Sequence, residues 1–251
     1  MPTKASNDGA SATDQSLPDP DGDGVAGHLP ARRDEHEGEG ATRGTARMEA
    51  FADGVFAIAF TLPIYNVLLP PLRDGGAHLA QDLLHNWPQD VGYLFSSTII
   101  GLYWVHHHFS GAIYRTTGHW FLLGTALFLI TVGFVAFPAR AFAESLPYPA
   151  ALPAAATFLV CWLAVVSLAW LLKWSIGLHR GMVDPRLEPA YLARLNRQYW
   201  MLAALKVSAV GLVLIDWRIG IAVTLAGVLH LIKPPETPRY ITEAPVVEGQ
   251  E

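Results

Sequence analysis

The chain has 251 residues, 51% hydrophobic and 16% charged, with a net charge of −5 and a positive mean hydropathy. Its apolar residues gather in long runs, unlike the scattered pattern of one soluble core. The acidic excess sits mainly in the two ends and nothing in the charge suggests a nucleic-acid partner, and Cys161, the one cysteine, excludes a disulfide framework or a cysteine-based metal site.

Residues 1–44 are rich in Asp, Gly, Pro, Ser and Glu and nearly free of large apolar side chains, which predicts a disordered tail. Within it Asp19-Pro20-Asp21-Gly22-Asp23-Gly24 imitates the start of a calcium loop, but Pro30 stands where that loop needs a bidentate Glu, so a solvated acidic tail is the better reading. No secretory leader is visible, because the N-terminus lacks an apolar segment.

Six apolar runs follow, at about 48–70, 88–113, 119–142, 150–173, 199–215 and 217–233, each near the length that crosses a bilayer as an α-helix. The expected fold is therefore an all-α bundle of six transmembrane helices over 45–233, followed by a second disordered tail at 234–251. Trp87, Trp120, Trp174, Trp200 and Trp217 fall near run ends, where indole rings favour the headgroup boundary.

The first run opens with Arg47, Glu49 and Asp53. Asp53 lies roughly 240° around the helix from Arg47, too far for an intrahelical pair, so it bonds another helix or is hydrated at headgroup depth. Further on, Ile58, Thr61, Leu62 and Tyr65 recur at i, i+3, i+4 and i+7. That stripe is either a helix-packing face or a pore lining, and periodicity does not choose.

The second run ends in Trp104-Val105-His106-His107-His108. Trp104 and His107 share a face and offer two N–H donors to a buried carboxylate. The histidine triplet is not read as a metal site, since adjacent helical side chains diverge by about 100°.

The loop at about 175–198 carries Pro185 and Pro189 and then an Arg-rich amphipathic stretch expected to lie along the membrane face. Lys206, deep in the fifth run, is expected at a protein interface, and His230 is isolated. Asp216-Trp217-Arg218 leaves room only for a tight hairpin between the last two runs.

If both termini are cytoplasmic, that side holds Arg32, Arg33, Arg43, Arg47, Arg115, Lys173, Arg180, Arg186, Arg194, Arg197, Lys233 and Arg239, against Arg73, Arg140 and Arg218 outside. This asymmetry predicts that orientation in a cell membrane.

Arg47-x-x-x-Phe51-Ala52-Asp53-Gly54-Val55-Phe56-Ala57-Ile58-Ala59-Phe60-Thr61-Leu62 resembles the signature first helix of the transmembrane protein 175 family, R-x-x-x-F-S-D-G-hydrophobic-x-A-I-x-x-T-L. Trp104-x-x-His107 is similar to the family's W-x-x-H, and the Pro138 stretch to its aromatic-proline ending. The resemblance covers about 46–233 and implies a potassium-preferring cation channel of the single-repeat prokaryotic kind, a homotetramer in lipid, with the first helix lining the pore. It further implies that Ile58 and Leu62 form the constriction, that Thr61 supplies a hydroxyl and Tyr65 the next ring outward, and that Arg47, Phe51, Asp53, Trp104 and His107 form a structural polar network. No enzymatic role and no cofactor or metal beyond permeant potassium is implied. Ala52 departs from the family's serine, Pro63 should kink the pore helix, and Tyr65 and Asn66 should weaken cation attraction at the outer mouth. A proton-coupled secondary transporter using Asp53 and His107 as a relay is the alternative, although the internal repeat it calls for is not seen. A metal-dependent membrane enzyme would need convergent ligands that the later runs do not offer.

Overall fold

The computed structural model describes residues 43–72 and 74–241, so the expectations for residues 1–42 and 242–251 lie outside the described residues. The architecture is all-α: α1 (Ala46–Thr61), α2 (Leu79–His85), α3 (Trp87–Gly111), α4 (His119–Gly133), α5 (Ala136–Ser145), α6 (Leu152–His179), α7 (Pro189–Ile215) and α8 (Trp217–Leu229). Short 3₁₀ turns extend α1 over Leu62–Asn66 and α8 over His230–Ile232.

Local chemistry sets the helix bounds. Pro88, Pro153 and Pro189 open α3, α6 and α7, where the missing N–H costs nothing. The end of α6 is a Schellman motif: Gly181 takes φ +68°, the Met182 N–H donates to the Gly177 carbonyl at 2.9 Å and the Gly181 N–H to Leu178 at 3.4 Å. Between α4 and α5 the ladder tightens at Phe134 and Val135, because Pro138 has no N–H to give the preceding turn. Asp216 caps α8 by accepting the Arg218 N–H at 2.8 Å, and Gly220 lies so close to Val213 that a Cβ there would collide, so the expected α7–α8 hairpin is tight.

α6 is the central helix and packs against α4, α5, α7 and α8, while α1 packs on α3 and α4. One end of the bundle is stitched by backbone pairing. A short antiparallel pair joins β1 (Arg43–Gly44) to β2 (Thr116–Thr117), and bridges join Tyr114 to Val183 and Leu187 to Tyr240. Each stretch between these stitches leaves that end and returns, so the chain forms three helical hairpins: α1 with α3, α4–α5 with α6, and α7 with α8.

Several expectations change. Among the described residues four helical stretches are long and apolar enough to cross a membrane: Ala46–Asn66, His119–Ser145, Leu152–His179 and Pro189–Ile215. α8 with its extension is shorter, and α3 has the length but carries Asp90, Ser96, Ser97 and three histidines. The Arg-rich stretch is no separate surface helix, because nothing after Pro189 breaks the helix and its residues form the first turns of α7. Trp174 does not face outward toward lipid headgroups but is buried in the bundle, donating to Asn196 Oδ1 at 2.9 Å. Order also runs past residue 233: the Glu188 N–H donates to the Arg239 carbonyl at 2.9 Å and the Ile241 N–H to Arg186 at 2.8 Å. α2 has no counterpart among the six runs.

Candidate functional site on the first helix

α1 has two unlike faces. Met48, Ala52 and Phe56, four residues apart, are buried in the bundle. The opposite side presents Ile58 (57% exposed), Leu62 (51%), Tyr65 (78%) and an exposed Thr61. Thus the stripe expected to be either packing or pore lining makes no packing face within its own chain. The Thr61 hydroxyl donates back to the Ala57 carbonyl at 2.8 Å, so its oxygen keeps its capacity to accept.

Pro63 ends the α-helical ladder, and the chain tightens into a 3₁₀ turn at Leu62–Asn66 instead of bending as one kinked helix. Such a break frees carbonyls that must find other donors. Ser97 Oγ on α3 supplies one, donating to the Phe60 carbonyl at 2.9 Å. At the far end of the turn the Asn66 side-chain oxygen accepts from Arg140 Nη1 at 2.7 Å, and Arg140 also pairs with Glu144 at 2.6 Å. Asn66 therefore ties the turn to α5, a contact that sequence spacing did not announce.

The expected polar network divides. Trp104 Nε1 donates to Asp53 Oδ1 at 3.0 Å, joining α3 to α1. His107 does not join them: it is buried, stacked against Phe128 and edge-on to Phe56, and its Nε2 has no partner. Asp53 and His107 open onto one recess of about 420 Å³, also lined by Glu49, without bonding each other. Arg47 and Phe51 are exposed, and among the described residues Arg47 forms no ion pair. Ala52 is fully buried in the apolar cluster, so the methyl in place of serine is accommodated by packing. The histidine triplet diverges: His106 Nε2 lies 2.8 Å from the Leu231 carbonyl, His107 points inward and His108 outward, and no group of three metal-ligating side chains occurs among the described residues.

Two buried lysines complete the interior. Lys173, expected at the cytoplasmic end of its run, is only 1% exposed, with its ammonium 4.8 Å from the Trp170 ring and 5.4 Å from that of Tyr114. α6 continues nearly two turns beyond Lys173, so the residue sits inside the aromatic layer, where ring faces stabilise a cation. The interleaved spacing Trp170, Lys173, Trp174 was the available signal. Lys206 faces its own bundle, where Nζ donates to the Tyr103 hydroxyl at 3.3 Å.

Comparison with known proteins gives this geometry a family. A family model described as "Endosomal/lysosomal potassium channel TMEM175" matches residues 47–136. A potassium channel from Chamaesiphon minutus is 38% identical over 122 residues, which are 48% of this chain and 60% of that relative's own length. One from Streptomyces collinus is 33% identical over 162 residues, 64% of this chain and 78% of that protein. The crystal structure of a lysosomal potassium-selective channel TMEM175 homolog from Chamaesiphon minutus superposes with a TM-score of 0.60 at 27% identity, covering 75% of this chain and 96% of that one. The chain is a multi-pass membrane protein that belongs to the TMEM175 family.

Proposed function

We propose that the chain is one subunit of a potassium-preferring cation channel, a homotetramer whose central pore is lined by α1. The observation that carries this reading is the outward stripe of α1: Ile58, Thr61 and Leu62 turn away from the bundle while Trp104 and Ser97, two turns apart on one face of α3, hold the helix from another side. A helix held in that way and left apolar outside needs lipid or copies of itself, and closed rotational symmetry would bring four such faces around an axis. Three relatives bear the name potassium channel, and the family is one of ion channels and not of enzymes.

In this reading the three hairpins are six crossings with both termini on the basic, cytoplasmic side. Ile58 and Leu62 narrow the pore and strip part of an ion's hydration shell, with Thr61 oxygens and the Tyr65 ring beyond. Of the set Arg47, Phe51, Asp53, Trp104 and His107, the Trp104–Asp53 bond and the His107 ring packed edge-on to Phe56 act as scaffold, holding the pore helix to its neighbour, whereas Arg47 and Phe51 are exposed. Permeation needs no cofactor. The test is flux in liposomes: the reconstituted protein passes potassium down its gradient without ATP or a proton gradient, and Ile58→Asn admits sodium nearly as well. Absence of potassium flux, or flux strictly coupled to protons, would overturn the reading.

A further inference from the structure

A groove of about 620 Å³ runs between α7 and α8 near the stitched end of the bundle. On α7 its wall is a single stripe: Arg194, Arg197, Met201 and Leu205 stand at i, i+3, i+7 and i+11, a rise of about 16 Å. The stripe is basic at the end joined to the α6–α7 connection and apolar below it. Across the groove Lys233 repeats the basic level and Ala226 the apolar one. Trp200, 56% exposed and one turn from Arg197, is a side chain of the kind that favours the headgroup boundary.

The charges at the mouth do not balance. Glu236 is the carboxylate in the lining, and it faces Arg194, Arg197 and Lys233, with His230 beside them. Arg194 Nε donates to Glu236 Oε2 at 3.4 Å, but its buried Nη2 has no partner. Arg197 and Lys233 form no ion pair among the described residues. A guanidinium nitrogen removed from water and left without an acceptor is unfavourable, so the groove is completed by an anion with oxygen acceptors. An anion alone would leave the wall of Met201, Leu205 and Ala226 uncovered.

We propose that this groove is a binding site for an anionic glycerophospholipid, with the phosphate diester on Arg194, Arg197 and Lys233 and one acyl chain along Met201, Leu205 and Ala226. A basic pocket between membrane helices backed by an apolar slot suits this ligand class. The inference rests on the multi-pass membrane fold and not on ion conduction, so its failure would leave the channel reading intact.

The test is native mass spectrometry of the full chain in detergent, titrated with phosphatidylglycerol or phosphatidylcholine, alongside its thermal midpoint. Phosphatidylglycerol is expected to stay bound and raise the midpoint, phosphatidylcholine and inorganic phosphate are not, and each of Arg194→Gln, Arg197→Gln and Lys233→Gln weakens retention roughly fivefold. Glu236→Gln removes the opposing charge and tightens it, a gain that a folding defect does not mimic. Leu205→Asp weakens it with every cation in place, and Arg180→Gln, outside the groove, leaves it unchanged. Equal retention of the two lipids, an equal midpoint rise with inorganic phosphate, or wild-type retention by the triple Gln variant would overturn the assignment.

Discussion

Trp104 and Asp53, 51 residues apart in sequence, meet at 3.0 Å through the indole N–H and a carboxylate oxygen. The bond fixes the rotation of α1 about its own axis. With Asp53 turned to α3 and Phe56 buried, Ile58 and Leu62 have no direction left but outward. This polar contact acts together with the buried row Met48, Ala52 and Phe56 in setting which face the chain offers to its surroundings.

Trp104→Phe keeps most of the ring volume and removes the donor. The expected loss is about 1 kcal/mol of stability, as for an ordinary partly exposed hydrogen bond. Asp53→Asn measured in the same background should show the coupling in a double-mutant cycle of thermal unfolding in detergent. Strictly additive effects would mean that the bond contributes nothing.

Gly54 separates the stability of the chain from its assembly. A Cβ at this position meets nothing within 4 Å inside the chain, so Gly54→Leu, in a helix interior, should leave the folded subunit at least as stable as before. If the outer face of α1 lies against copies of itself, the same change should lower the tetramer fraction or the potassium flux. Unaltered assembly and flux would count against placing that face at a central axis.

Gly177 is the opposite case. An added Cβ would lie 2.6 Å from Tyr114 Cε1 and 3.0 Å from the Phe121 ring, both buried aromatics with no room to retreat. Gly177→Ala is therefore expected to cost about 1–3 kcal/mol. Gly211→Ala, in a helix interior with open space around it, should gain about 0.5–1 kcal/mol. Comparison of the two thermal midpoints checks both signs.

What the sequence disclosed follows from the range of each signal. Long apolar runs and the charges of the first helix are local, and they marked the helical bundle and the Asp53 contact with Trp104, while Pro63 marked a disturbance, expected as a kink, that is a change to a 3₁₀ turn. His107 shares a helical face with Trp104, but a face spans an arc wide enough for one side chain to reach Asp53 and the other to enter the Phe128 stack. Lys173 looked like a loop cation because hydropathy stops counting at the first charge, whereas the aromatic rings around it come from distant helices. Asn66 with Arg140, and Arg186 with Ile241, are pairings across hairpins that no periodicity encodes.

Tyr103 and Lys206 give a test of the buried charge. The Tyr103 hydroxyl accepts from the ammonium in a site where Lys206 is 2% exposed. Tyr103→Phe deletes that acceptor and should cost about 1–3 kcal/mol, since the cation stays and its partner goes. Lys206→Met removes the charge while keeping the volume and should cost less, or stabilise. The reverse order in thermal midpoints would show that the ammonium is held by something other than the hydroxyl.

Asp184 carries a pH dependence at the stitched end. Its carboxylate accepts from Arg186 Nη2 at 2.8 Å and from the Arg186 backbone N–H at 2.9 Å. Those hydrogen bonds, led by the side-chain one, hold the Asp184 carboxyl below its ordinary range against the opposing effect of burial. A depressed value in the folded state means that unfolding takes up a proton at low pH, so the stabilisation is complete above the ordinary carboxylate pKa of about 3.9 and is lost as pH falls through the lower native one. Asp184→Asn should therefore melt below wild type at pH 7, with the gap closing on acidification below about pH 4. Because the Asp184 N–H also donates to the Ile113 carbonyl at 2.9 Å, a bond the substitution keeps, the stitch itself should survive. A gap that stays constant with pH, or widens in acid, would show that the Arg186 pair does not set the stability of this end.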